Sequence, residues 1–230
     1  MGVRTAKQLN RRAFMAASLA AGTGIAVAAP QRAEAKAKAP LTFTILYVND
    51  LHSNFIGMAP SADYTPFSLN DDETRGGFAR LAAKIGERRT AAERLGPVLV
   101  LDAGDYTMGT AFAAATRETG GELRLLAMMG CDATTFGNHD FNLGPDGTAA
   151  AIDQARKAGR VPAILATNTD LGASATTLEG LQRLAAEGQI RTQLVIERGG
   201  IRFGLIGVIG HEAAVYAVSA APRDLQRPYR

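Results

Sequence analysis

Three short stretches of this 230-residue chain carry side chains that can do acid–base or metal chemistry. Asn49-Asp50-Leu51-His52 sets a carboxylate and an imidazole two residues apart, and in extended backbone such residues point to the same side. Asp102-Ala103-Gly104-Asp105 presents a second carboxylate after a glycine that permits a sharp turn. Gly137-Asn138-His139-Asp140 adds a carboxamide oxygen and a second imidazole. Carboxylate, carboxamide and imidazole oxygens and nitrogens suit Mn²⁺, Mg²⁺, Fe or Zn²⁺ better than a metal that prefers thiolates. Each stretch has an ordinary use when taken alone: Asp105 as a helix N-cap, His52 as a surface imidazole, Gly-Asn-His-Asp as a turn. The chemistry is carried by their conjunction, because each follows a segment that reads as a strand.

The elements that must position them alternate. Residues 41–48 are β-branched and aromatic and predict a strand. Residues 78–94 repeat with a helical period, Phe78, Leu81, Ala82 and Ile85 on one face against Arg80, Lys84 and Arg88 on the other. The apolar run 98–101 reads as a buried parallel strand. Helices are expected over 122–129 and 148–158, short strands over 133–136 and 163–166, and a further helix over 178–186 within an insertion. Residues 191–197 and 201–208, joined by Gly199-Gly200, read as an antiparallel hairpin. This order implies an α/β sheet covered by helices, with a mixed edge formed by the hairpin. In open α/β sheets ligands bind at the carboxyl ends of the strands, which is where the three chemical stretches fall.

Those motifs, in the contexts ILYVNDLHSNF, RGGFARLAAKI, VLVLDAGDYTMGT, MMGCDATTFGNHDFNLG, ILATN and RFGLIGVIG, resemble the 5′-nucleotidase/UDP-sugar hydrolase branch of the calcineurin-like metallophosphoesterases. The resemblance runs from about residue 41 to about 222. It implies a mixed-sheet β-sandwich flanked by helices, incomplete at its C-terminus, and two divalent metal ions (Mn, Mg, Zn or Fe). It further implies that Asp50 and His52 bind the first metal, that Asp105 bridges, that Asn138 binds the second, and that His139 is the catalytic group at the leaving oxygen. A carboxylate can bridge because its two oxygens carry several lone pairs, and an imidazole is a natural general acid near neutral pH. The implied activity is hydrolysis of a nucleotide or other phosphoester by a metal-activated water, with a thiosulfohydrolase of sulfur oxidation or an inactive metal-binding fragment as alternatives.

Two departures qualify that implication. The family often places an Asp three residues after the catalytic histidine, where this chain has Asn142. The family's later histidine ligands also have no counterpart among His52, His139 and His211, and His211 reads as a loop residue. The chain is therefore expected to be the N-terminal part of the domain, residues 41–222, weak or inactive alone. Residues 223–230 read as an out-of-frame or disordered tail, because relatives continue differently after Pro222.

The N-terminus reads as an address. Arg11-Arg12 precede Phe14 and Met15, a soft Ala- and Gly-rich run follows, and Ala33-Glu34-Ala35 matches a cleavage site. Residues 1–35 are thus expected to be a twin-arginine signal peptide, with 36–40 as linker, a partnership with the twin-arginine export machinery and a periplasmic or secreted destination. The run is too short and weakly apolar to remain as a membrane anchor. The formal charge of +3 resides in this leader, which holds five basic residues against one acidic, so the body is about neutral and does not suit a nucleic-acid partner. Cys131, the single cysteine, reads as a small buried hydrophobe. The long segment after Ser53, with its Asp71-Asp72-Glu73 run, is a loop by composition.

Overall fold

The computed structural model describes residues 41–57, 75–171, 178–210 and 212–213. The signal-peptide and linker readings, most of the loop after Ser53, His211 and the tail at 223–230 lie outside these residues.

Five strands form one sheet, all parallel and in sequential order: β1 (Thr44–Val48), β2 (Val98–Asp102), β3 (Ala133–Thr135), β4 (Ala163–Leu165) and β5 (Ile190–Arg191). Helices connect them: α1 (Phe78–Glu93), α2 (Thr116–Thr119) and α3 (Gly121–Met128) between β2 and β3, α4 (Gly144–Ala158), and α5 (Glu179–Ala186). Strand β2 is central and buried along its length, which is why Val98-Leu99-Val100-Leu101 reads as a continuous apolar run and not as an alternation.

Alternation appears where the two faces differ. On β1, Leu46 and Val48 pack into the core with Val100, Leu123, Leu126, Ile152, Ile164, Leu181 and Leu184 from the strands and helices. Ile45 and Tyr47 face the other way and are exposed at 43% and 73%. The core therefore sits between the sheet and its helices. Its driving force is the burial of these side chains, worth about 1.5–3 kcal/mol for each fully buried Leu, Ile or Phe.

The helices follow their sequence signals with one extension. Helix α4 begins at Gly144, four residues before the apolar period starts, because Pro145 supplies a favourable first position and Asp146 an acidic first turn. The helix read as part of an insertion, α5, buries Leu181 and Leu184 completely and serves as the crossover between β4 and β5.

Among the described residues the expected mixed edge is not formed. Strands β6 (Leu194–Arg198) and β7 (Ile201–Leu205) pair antiparallel with each other as a separate two-stranded sheet. Arg191, read as the start of that hairpin, pairs instead with Leu165 in the parallel sheet. The hairpin lies over the sheet's Ile45/Tyr47 face. Phe203 meets Phe43 edge-on at 5.2 Å, and Arg198 grips both carboxylate oxygens of Asp132 at 2.9 and 2.7 Å. Two stacked β layers with helices on the outer face are the architecture expected, the second layer being this hairpin among the described residues. No helix among them is long and apolar enough to cross a membrane.

Candidate metal centre

Parallel pairing in register sets the site. Val48 lies opposite Asp102, so β1 and β2 end at the same level and their loops run on side by side. The ladder continues beyond the strands: Ala103 N–H donates to Val48 O at 2.9 Å, Asp50 N–H to Gly104 O at 3.0 Å, His52 N–H to Asp105 O at 3.1 Å and Ser53 N–H to Tyr106 O at 2.9 Å. These bonds hold the backbone in conformations that L-residues avoid. Asp50, His52, Ser53 and Asp105 have φ of 52°, 47°, 48° and 56°, each costing about 1–2 kcal/mol that the surrounding structure must offset.

Glycines let the third loop approach. A Cβ on Gly104, at φ 92°, would meet Gly137 N at 2.7 Å, and one on Gly137 would meet Asp105 Oδ1 at 2.0 Å. With hydrogens alone at both positions, His139 N–H reaches Asp105 Oδ1 at 2.9 Å. Beneath the junction lies the buried carboxylate of Asp140. It accepts from Asp105 N–H at 2.9 Å, Gly137 N–H at 2.8 Å and Thr107 N–H at 3.0 Å, tying the second and third loops together. Burial pushes its pKa well up, and the Gly137 and Thr107 donors act against that.

The outcome is a cluster at the carboxyl end of the sheet. His52 Nε2 stands 3.6 Å from Asp50 Oδ1 and 3.8 Å from Asp105 Oδ2, and its ring centre is 5.1 Å from that of His139. Ligand atoms of His52, Asp105 and His139 all fall within 4.8 Å of one another. Two carboxylates and two imidazoles converge at separations too long for hydrogen bonds and short enough to share an ion, so the donor set fits a divalent cation of the Mn, Mg, Zn or Fe type. His139, expected to act on the leaving group, is thus also among the metal-competent groups. Asn138 lines a cavity of about 230 Å³ beside them, together with Asp50, Gly104, Asp105 and Ile209.

The Asn142 departure has a structural counterpart. Its Nδ2 lies 3.1 Å from His139 Nδ1, in the short 3₁₀ turn that places the two residues together. A carboxylate there could only accept from the ring, whereas an amide can donate to Nδ1 or accept from it. Asp140 does not substitute, because its oxygens are spent on backbone beneath the loops.

Asp102, also under the site, accepts from Thr134 Oγ1 at 2.5 Å and from Gly104 N–H at 3.1 Å, while its Oδ1 has no partner among the described residues. Burial pushes its pKa up to about 6; the two donors lower it and the nearby charges of Asp50 and Asp105 raise it. Cys131 is buried away from these groups, and burial pushes its thiol up to about 12, which agrees with a packing role. An apolar cleft of about 380 Å³ lies between the sheet and the hairpin, lined by Ile45, Tyr47, Leu101, Leu165, Leu205 and Val208, and holds none of the clustered imidazoles.

Residues 43–201 match the calcineurin-like phosphoesterase family. The chain belongs to that family. Among its relatives, the chain is 32% identical over 142 residues to the 5′-nucleotidase of Bos taurus, an alignment covering 62% of this chain and 23% of that enzyme. It superposes on the 5′-nucleotidase precursor of Thermus thermophilus with a TM-score of 0.53 at 25% identity, covering 74% of this chain and 29% of that one. A Thermus thermophilus sulfate thiohydrolase shares the fold with a TM-score of 0.52 at 18% identity, over 77% of this chain and 37% of the other. That last likeness is one of fold. The chain spans about a quarter of the length of the bovine relative.

Two buried acids beneath these loops escaped the sequence reading. Asp140 as the brace between loops had only its place beside His139 to signal it. Glu122, 1% exposed, gave no such signal, because an acid in the first turn of a helix is an ordinary preference and only packing buries it beside Leu123 and Leu126.

Proposed function

We propose that this chain is a metal-dependent phosphoester hydrolase of the 5′-nucleotidase type, acting on a nucleotide phosphate. The observation that carries the reading is the convergence of Asp50, His52, Asp105 and His139 at the carboxyl end of the sheet. Its family membership and its 5′-nucleotidase relatives support the substrate class.

In this reading Asp50 and His52 would hold one divalent cation, Asp105 would be shared with a second, and Asn138 would offer its carboxamide oxygen to that second one. Cations bound there supply an activated water and neutralise phosphoryl charge. The protein's own part is positional. The left-handed backbone at Asp50 and His52 turns both side chains into the same space, and Asp140 fixes Asp105 against the loop bearing His139. His139 holds a proton for the leaving oxygen, with Asn142 at Nδ1 fixing the ring's orientation. An amide partner orients the ring by hydrogen bonding without adding the charge that a carboxylate would. The leader at residues 1–35 supports export through the twin-arginine route to the periplasm or beyond.

The test is phosphate release from adenosine monophosphate and from p-nitrophenyl phosphate by the full chain with Mn²⁺ in excess. Release that chelator abolishes, and that His139→Ala reduces by about 10²-fold or more, is the expected result. Release unaffected by chelator, or by His139→Ala, contradicts it.

A further inference from the structure

The loop bearing Asp50 and His52 has an anchor on its far side that the site chemistry does not use. Ser53, fully buried, donates its hydroxyl to Glu122 Oε1 at 2.6 Å, across 69 residues of sequence. Thr116, also buried, donates to the same oxygen at 2.7 Å. Glu122 Oε2 is buried with no partner among the described residues. A buried carboxylate that meets two neutral hydroxyls and no lysine or arginine is a costly choice, since an apolar side chain of similar shape in α3 would avoid its desolvation.

What that cost accompanies is strain. Asp50, His52 and Ser53 have left-handed φ within four residues, and none is a glycine. Backbone bonds restrain this loop on the side of β2, and Thr110 Oγ1 caps the Ser53 carbonyl at 2.7 Å. The Ser53–Glu122 bond restrains it from the other side, through the side chain of the last left-handed residue. Thr116 makes the same oxygen a junction, so the loop is also fastened to the 110–119 segment, whose Phe112 stacks on Phe55 at 5.0 Å and 18°. A strained backbone persists only when its surroundings over-determine it, and Glu122 completes that condition.

We infer that Glu122 is a positioning residue for the first metal: through Ser53 it holds the Asp50–His52 loop in its left-handed form, so that both side chains reach the ion. The inference rests on the metal-centre reading above. Outer partners of this kind typically change metal affinity by 10–100-fold.

The experiment is calorimetric Mn²⁺ titration of the full chain, with thermal melting of each variant in parallel. Glu122→Leu and Ser53→Ala each lower the affinity of the tighter Mn²⁺ step by about tenfold or more. The double variant is no worse than the poorer single one, because both remove one connection. Glu122→Gln keeps an oxygen for both hydroxyls and stays within about threefold of the parent. If Glu122→Leu does not fold, Ser53→Ala decides, since it leaves the carboxylate and Thr116 in place. Folded variants with the parent's Mn²⁺ affinity, or a double variant whose losses multiply, overturn the inference alone. A parent chain that binds no Mn²⁺ overturns the metal-centre reading and this inference with it.

Discussion

The two ends of the parallel sheet treat charge in opposite ways. At the amino end, Asp132 is gripped by Arg198 through both oxygens, Arg89 donates to Gly130 O and Arg160 to Cys131 O, so these four charged groups each meet a partner. At the carboxyl end, Asp50, Asp102, Asp105, Glu122 and Asp140 gather without a lysine or arginine pairing with any of them among the described residues. Backbone N–H groups, hydroxyls and one imidazole share the task instead. The amino end is built to be stable by itself, and the carboxyl end to be completed by positive charge from outside. Left-handed residues divide the same way: the non-glycine ones all belong to the carboxyl-end loops.

The largest expected effect comes from removing the brace. Asp140→Ala leaves the N–H groups of Asp105, Gly137 and Thr107 buried without an acceptor, at about 1–3 kcal/mol each before relaxation. Urea denaturation is expected to show a loss of about 3–5 kcal/mol, together with loss of Mn²⁺ binding. A stable variant that still binds Mn²⁺ would show that the two loops need no tie.

Acid titration sharpens the comparison next. Asp102 keeps its proton up to about pH 6 in the folded chain, whereas in the unfolded chain a carboxyl releases it near 4. Between those values the native state binds more protons, so stability of the metal-free protein falls as pH rises, by roughly 3 kcal/mol in all from this group. The fall in stability from pH 4 to pH 6.5 is expected to be larger in the parent than in Asp102→Asn by about that amount, since Asp140, whose pKa burial also raises, contributes in both. Equal pH dependence in the two proteins would remove Asp102 from the strained end.

The smallest effect belongs to the amino end. Arg198→Ala breaks a partly exposed pair and is expected to cost about 1 kcal/mol of stability with Mn²⁺ affinity unchanged. A loss of Mn²⁺ affinity in that variant would mean that the two ends are not independent.

Much of this was legible in the chain. Strand β2 showed itself as an apolar run, α1 as a 3.6-residue period, and the hairpin by Gly199-Gly200 between alternating segments. Asp50, His52, Asp105 and His139 were singled out because they follow strands, and the parallel register brought them together as that placement requires. Other features had no one-dimensional signal. Strand β5 is two residues long and was absorbed into the hairpin, and which sheet the hairpin joins depends on packing that no local pattern records. Left-handed φ at Asp50, His52 and Ser53 is imposed by bonds to the neighbouring loop, not by residue type. Nothing local marks Glu122 or Asp140 as a buried tie, because burial, which only packing decides, sets their role.

A cation held between Asp50, His52 and Asp105 is what makes this end of the sheet a metal centre. Proton NMR of the chain titrated with Co²⁺ reads this, because an imidazole that ligates the paramagnetic ion shows its ring N–H far outside the ordinary range. Shifted imidazole resonances that appear on titration, that chelator removes and that Asp105→Asn abolishes are the expected result. Their absence in the parent chain, or their persistence in Asp105→Asn, would contradict the central claim that the carboxyl end of this sheet is a metal centre.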